Sequence, residues 1–300
     1  RRSARYVVIK KDLSPAEVEA IQSLGLSSMV GLTHEWQRQY PSDSLAANVV
    51  GFCLADGTPG GALELSMWRY LKATPGRRVL SADARRRAID TIDEGSTPPI
   101  DGADVYLTLD VIIQGYLEQA VSDAATNHGG QWATGVVIEP ATGRVLAMAS
   151  SPTYNPNEFN TSDPETWTNH AITSPYEPGS VVKPLFAAAA VDAGVVEWDT
   201  LIDCENGTYH AHRGGRITDH GQNYDQLTVR QGVVKSSNIL MAKLGEKMGN
   251  DRLHAVTQRF GFGQRTAISL PGEEPGMIRR LSSWDGYSTR RVPFGQEMSA

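Results

Sequence analysis

Pro175-Tyr176-Glu177-Pro178-Gly179-Ser180-Val181-Val182-Lys183-Pro184 sets a serine three residues ahead of a lysine, at the head of an apolar run. Residues 185–191 are alanine and larger apolar side chains, and Gly194 is a natural stop, so the run reads as a buried helix. Positions i and i+3 share a helix face, which predicts that Ser180 and Lys183 point the same way, one turn apart. A proline deep in a helix loses a hydrogen bond and clashes, so Ser180 must sit at the very start. Pro184 also disfavours helical torsions at Lys183, and the first turn is expected to be irregular or 3₁₀-like.

That placement suits a nucleophile. Alkoxide character on Ser180 would feel the positive end of the helix dipole. Lys183 can take the hydroxyl proton only when neutral, and at a pKa of ~10.4 roughly one lysine in a few thousand is neutral at pH 7. Burial lowers that pKa, and a fall to about 8 leaves roughly a tenth as free base. Ser-x-x-Lys alone arises about once by chance in a chain of this length, so the weight rests on its flanks and partners.

The 300 residues are 40% hydrophobic with a net charge of −6, enough for one large or two ordinary domains. The basic residues are scattered, which argues against nucleic acid as a partner. Arg77-Arg78 and Arg85-Arg86-Arg87 read as solvated faces. No run reaches membrane-spanning length. Two cysteines, Cys53 and Cys204, are present, and the sequence does not say whether they pair; isolated cysteines are more often separate and inert.

Taken in order, residues 6–10 (Tyr-Val-Val-Ile-Lys) read as strand-like, and Ser14-Pro15-Ala16-Glu17 as a capping box opening a helix that stops near Gly25. A loop and strand pattern leads to Gly51-Phe52, and residues 57–61 make a turn. Residues 63–71 predict a short helix with Leu63, Met67, Trp68 and Leu71 on its buried side. Residues 94–104 are rich in turn formers, which places a boundary between domains 1–104 and 105–300. Beyond it, residues 105–109 predict a strand and residues 111–126 a helix. Residues 132–139 and 144–150 predict two strands, joined by a turn at 140–143. Both strands are apolar on both faces, which implies cover by helices. Residues 151–174 are polar and loop-like.

Residues 201–226 look irregular and carry His210, His212 and His220. No partner is evident to order the imidazoles, and the segment reads as an exposed hairpin, so no metal is expected. A helix beginning at residues 227–229 runs into Lys235-Ser236-Ser237-Asn238. A second helix starts there, with Ile239, Leu240, Leu244 and Met248 on its apolar side and Gly249 at its end. Ser236 and Asn238 thus lie at a junction between helices, where capping alone would account for a Ser and an Asn.

Together these residues resemble the class B penicillin-binding proteins, the D,D-transpeptidases that cross-link peptidoglycan. Residues 176–184 match the family's Tyr-Glu-Pro-Gly-Ser-x-x-Lys-Pro string, and Ser236-Ser237-Asn238 matches its Ser-x-Asn motif. Asn169-His170-Ala171-Ile172 looks like the lead-in. Residues 136–156 resemble the Gly-x-x-x-x-Asp-x-x-Thr-Gly-x-x-x-Ala-Met-x-Ser segment, with Glu139 where aspartate is usual. Leu107-Thr108-Leu109-Asp110 resembles the domain opening, and Tyr40-Pro41 with residues 46–52 resembles the non-catalytic pedestal. The likeness spans roughly residues 30–300. The third motif, Lys-Thr-Gly or Lys-Ser-Gly, occurs nowhere in these residues, and the natural chain is expected to continue beyond residue 300.

The resemblance implies an α+β fold, with an antiparallel sheet flanked by helices preceded by a smaller pedestal. It implies that Ser180 attacks the D-Ala-D-Ala carbonyl of a stem peptide and that an amine from a neighbouring peptide resolves the acyl-enzyme. Lys183 is the implied base. Ser236 relays the proton, Asn238 binds the substrate amide and helps hold Lys183, and the Ser180 N–H is one oxyanion donor. No cofactor and no metal are implied. The implied partners are the stem peptide, β-lactams, a membrane glycosyltransferase and division or elongation proteins. The implied location is the periplasmic face of the cell envelope, on a membrane anchor outside these residues. The alternatives are a β-lactam hydrolase or sensor, which shares Ser-x-x-Lys, and a catalytically inactive scaffold.

Overall fold

The computed structural model describes residues 7–11, 13–26, 29–33, 35, 37–82, 88–211 and 215–300. The chain forms two compact units, one within residues 1–38 and one of residues 39–300.

The first unit holds helix α1 (Pro15–Ser23), with the expected capping box: the Ser14 hydroxyl accepts the Glu17 N–H, and the Glu17 carboxylate accepts the Ser14 N–H. The strand expected at residues 6–10 is not there. Tyr6 lies outside the described residues, and Val7, Val8 and Ile9 are exposed, without a partner strand among the described residues. Apolar β-branched residues favour extension, but a strand needs a ladder partner.

The second unit opens with short helices. A loop and strand pattern was expected up to Gly51-Phe52; instead α2 (Ala47–Val50) forms. The helix expected over residues 63–71 is split into α3 (Ala62–Ser66) and α4 (Trp68–Leu71) at Met67, whose torsions (φ −97°, ψ 3°) leave the helical region. Its expected buried side is only half-covered, and the buried member of α3 is Glu64, toward which Tyr40 turns its hydroxyl. The antiparallel pair β1 (Arg77–Ala82) and β2 (Ala88–Thr97) comes next, so residues 94–97 end a strand rather than begin a loop. Arg77 and Arg78 are exposed; residues 85–87 lie outside the described residues.

Helix α5 (Val111–His128) is N-capped by Asp110 and closes on Gly129 in the left-handed region. It packs on β3 (Ala133–Ile138) and β4 (Val145–Ser151), antiparallel partners with Ala133 opposite Ser151. The expected strand at residues 105–109 is irregular. Around it only the Asp110 N–H, bonded to the Leu146 carbonyl, and the Thr108 hydroxyl, bonded to that of Val145, reach the outer edge of β4. Deeper along that edge Gln114, 1% exposed, takes the place of a strand: its Oε1 accepts the Met148 N–H and its Nε2 donates to the Met148 carbonyl, each at 2.9 Å. Helix cover is one-sided, since Val136 and Ile138 of β3 are 40% and 53% exposed.

Residues 39–52 sit firmly on residues 153–168. The buried Asn48 amide donates to the Thr166 and Thr168 carbonyls and accepts from the Thr153 hydroxyl. Phe52 stacks on Phe159 with ring centroids 4.3 Å apart. The polar segment 151–174 contains two 3₁₀ turns and α6 (His170–Thr173).

The largest core lies where α7 (Lys183–Asp192), α8 (Val229–Val234) and α9 (Asn238–Arg259) meet, around Phe186, Ala187, Ile239, Leu240, Met241 and Leu244. Gly249 (φ +75°, ψ 165°) breaks α9 as expected, but the chain resumes the helix to Arg259. Residues 201–226, expected to be irregular, hold β5 (Leu201–Asp203), β6 (Thr208–Ala211) and β7 (Gly215–Thr218); β5 pairs with β8 (Gln226–Thr228) and β6 with β7. His210 and His220 are exposed, and His212 lies outside the described residues. Cys53 and Cys204 form no disulfide. The C-terminal part adds β9 (Met277–Ile278), α10 (Gly286–Arg291) and β10 (Met298–Ser299), with β9 and β10 antiparallel.

Replacing Gln114 with alanine strands a buried N–H and a buried C=O of β4. Each costs about 1–3 kcal/mol, so Gln114→Ala should lower the unfolding free energy by about 2–6 kcal/mol in urea titration; a loss below about 1 kcal/mol would mean that water replaces the amide.

Candidate active site

Gly179 takes a left-handed turn (φ +61°) open to glycine at little cost, and residues 179–182 then form the expected 3₁₀ turn ahead of α7. Lys183 itself is helical (φ −54°, ψ −45°), contrary to the expectation from Pro184. Val182, one residue earlier, is also right-handed but tighter, at φ −88° and ψ −9°. Pro184 sits in the first turn, where its missing N–H leaves no bond unmade.

Residues 176–179 are stitched to residues 295–300. Tyr176 and Ala300 exchange both backbone hydrogen bonds at 3.1 Å, and the Gly179 N–H donates to the Gly295 carbonyl at 3.0 Å. A side chain at Gly295 (φ +82°) would lie 2.1 Å from the Gly179 carbonyl oxygen. The Glu177 carboxylate accepts the Glu297 N–H, and the Glu297 carboxylate is held by Arg279 and Ser288.

Ser180 is exposed at the mouth of this turn, and its hydroxyl makes no hydrogen bond among the described residues. Lys183, one turn on, is 1% exposed and points into the core. Its Nζ donates to the Ser236 carbonyl at 2.6 Å, the Ser236 hydroxyl at 3.0 Å and Asn238 Oδ1 at 2.6 Å. The structure thus brings Lys183, Ser236 and Asn238 into direct contact, with Ser180 at the head of the same helix but not bonded to the amine.

These three acceptors match the three protons of an ammonium. When the amine is neutral it has two protons and a lone pair. Carbonyl oxygens cannot donate, so only the Ser236 hydroxyl can reverse and give its proton to the amine. Among the three, the Ser236 hydroxyl is the one partner able both to accept from the amine and to donate to it. Burial lowers the Lys183 pKa from 10.5 to about 8, opposed by the negative charge of Asp219.

The junction owes its shape to three residues. Ser236 is left-handed (φ +56°), Ser237 caps α9 by accepting the Leu240 N–H at 3.0 Å, and the Asn238 Nδ2 donates to the Thr218 carbonyl at 3.0 Å, which turns Oδ1 toward Lys183. Two contributors escaped the sequence reading. Asp219 receives the Ser237 hydroxyl, and residues 295–300 brace the lead-in to Ser180. No spacing rule links residues 18 or 120 positions apart.

Residues 133–300 match the family described as penicillin binding protein transpeptidase domain. The chain belongs to the class B penicillin-binding proteins. Against a family relative, the probable peptidoglycan D,D-transpeptidase PenA of Neisseria meningitidis, it is 31% identical over 296 residues, 98% of this chain and 50% of that protein. Among solved structures it is similar to a peptidoglycan synthetase from Bifidobacterium adolescentis, with a TM-score of 0.79 and 27% identity over 99% of this chain and 54% of that one. It is also similar to penicillin binding protein 3 of Mycobacterium tuberculosis complexed with aztreonam, with a TM-score of 0.75 and 32% identity over 88% and 55%. The α+β class is therefore the family's transpeptidase fold. The chain spans about half the length of the curated relatives it matches.

The buried amine has a stability signature. Between pH 8 and 10.5 the folded protein has shed the Lys183 proton while the unfolded chain keeps its own, so stability rises with pH across that window. Relative to a Lys183→Met variant, the wild type should gain up to about 3 kcal/mol from pH 8 to 10.5 in denaturant titrations; a pH-independent difference would contradict a lowered pKa.

Proposed function

We propose that the chain carries the acyl-transfer site of a peptidoglycan D,D-transpeptidase with Ser180 as nucleophile. The observation that carries this reading is the Lys183 amine, buried, pulled toward neutrality and gripped by Ser236 and Asn238 at the base of the helix that presents Ser180.

In this reading the neutral amine takes the Ser180 proton as Oγ attacks the carbonyl carbon of the penultimate D-Ala. The Ser180 N–H, at the start of the helix, faces the developing oxyanion. Collapse breaks the amide C–N bond. The departing D-Ala nitrogen takes a proton from the Ser236 hydroxyl, and the Lys183 ammonium returns one to Ser236. An amine of a neighbouring stem peptide then attacks the ester, its proton leaves by the same route, and the Ser180 C–O bond breaks to give the cross-link and the free hydroxyl. Water in place of that amine gives the carboxypeptidase outcome. Asn238 binds the substrate amide while holding Lys183. The steps need no metal and no cofactor.

A β-lactam enters the same route, because its strained C–N bond opens without releasing a leaving group; the aztreonam complex of a related structure supports this ligand class. Residues 1–104 act as the pedestal and residues 105–300 carry the chemistry. That residues 39–104 share a compact unit with the catalytic part supports a pedestal bearing directly on it. Among the described residues no helix is long and apolar enough to cross a membrane. The periplasmic location, the anchor, the membrane glycosyltransferase and the division or elongation proteins belong to the same proposal.

A fluorescent penicillin added to the full-length protein should label a peptide containing Ser180. Labelling should vanish in Ser180→Ala and slow by about a hundredfold or more in Lys183→Ala. An unlabelled wild type would overturn the reading in favour of a scaffold, and release of the hydrolysed drug within seconds would point to a hydrolase.

A further inference from the structure

Asp219 lies just past the end of β7, and its half-buried carboxylate grips the N-terminus of α9 at two points. Oδ1 accepts the Ile239 N–H at 3.0 Å, and the two oxygens lie 3.1 and 2.9 Å from the Ser237 hydroxyl. Ser237 is fully buried, so its hydroxyl has been placed for this carboxylate and for the Leu240 N–H rather than for solvent. One residue earlier, the Thr218 carbonyl receives the Asn238 side chain. The pair 218–219 thus holds residues 237–239 from the strand side. The held segment supplies one acceptor of Lys183, Asn238 Oδ1, and directly follows Ser236, which supplies the other two. It also needs holding, because a left-handed residue such as Ser236 costs about 1–2 kcal/mol.

We propose that Asp219 is a positioning residue for the Lys183 amine: it fixes the 236–239 turn so that Ser236 and Asn238 stay within hydrogen-bond reach. What that amine does chemically rests on the acyl-transfer reading; the placement itself does not. The carboxylate lies where the exposed N–H groups and dipole of α9 favour an anion. It favours the ammonium and opposes burial. Other titratable groups near the junction are Cys204, whose sulfur is 3.9 Å from the Ser237 hydroxyl, with Asp203 and Lys243 acting on that thiol, and the chain neighbours Lys235 and His220.

Asp219→Asn keeps the size and one acceptor but removes the charge, and Asp219→Glu keeps the charge but displaces it. In full-length protein carrying ¹³Cε-labelled lysine, the Lys183 titration midpoint should fall by about half a pH unit or more in Asp219→Asn and stay in place in Asp219→Glu. The second-order rate of penicillin acylation should fall about tenfold or more in both, because the acceptors are no longer held in place. An Asp219→Asn midpoint equal to the parent's, with only a lowered melting temperature, would make Asp219 an ordinary helix cap and overturn the proposal. Should that variant fail to fold, a parental acylation rate in Asp219→Glu overturns it instead. A parent that is not acylated at all would sink the transpeptidase reading, while the Lys183 titration would still judge Asp219.

Discussion

Everything in this site depends on placing a lysine amine where water does not reach it. A solvated ammonium gives up its proton far above neutrality, and an unpaired buried one is costly. The protein meets both constraints with three oxygens. Two carbonyl-type acceptors and one hydroxyl receive the amine, and only the hydroxyl can change direction when the charge is lost. Burial makes the neutral form accessible, and the nearby carboxylate limits how far that goes.

The surrounding architecture results from keeping those oxygens still. The α8–α9 junction is too sharp for helical torsions throughout, so Ser236 turns left-handed and Ser237 caps the next helix. The apolar face of α9 is anchored against α7 by Ile239, Leu240 and Leu244. The same α7 begins with Lys183 and is entered through the 3₁₀ turn that exposes Ser180. Ser180 and the Lys183 amine therefore lie on one continuous element anchored in the core. Opposite them, residues 295–300 brace the left-handed Gly179, where the two glycine backbones approach too closely for any side chain at Gly295. The site is thus bounded by a helix start, a helix junction and a C-terminal brace, each from a different part of the chain.

Where structure is set locally, the sequence was a sound guide. Helix α5 forms over the residues read as helical, Pro184 and Gly194 frame α7, and the turn at 140–143 joins two antiparallel strands as expected. Ser180, Lys183, Ser236 and Asn238 stood out through the likeness of residues 176–184 and 236–238 to the family's motifs; a shared turn and a helix start alone amounted to chance spacing and a cap. Failures fell where the outcome depends on a distant partner. Residues 7–9 and 105–109 have strand composition but no ladder to join among the described residues, and the edge of β4 is completed by a glutamine side chain from a helix. The β-pairs within residues 201–226 are too short for periodicity to register, and Asp219 meets Ser237 only because β7 ends beside α9.

The most direct test of the central claim is the pH dependence of penicillin acylation in the full-length protein. An amine of lowered pKa serving as the base predicts a second-order rate that climbs between pH 6 and 8 and levels off just above a midpoint of about 8. A rate that is flat across this range, or that keeps rising to pH 10 as an ordinary solvated lysine would dictate, would contradict it.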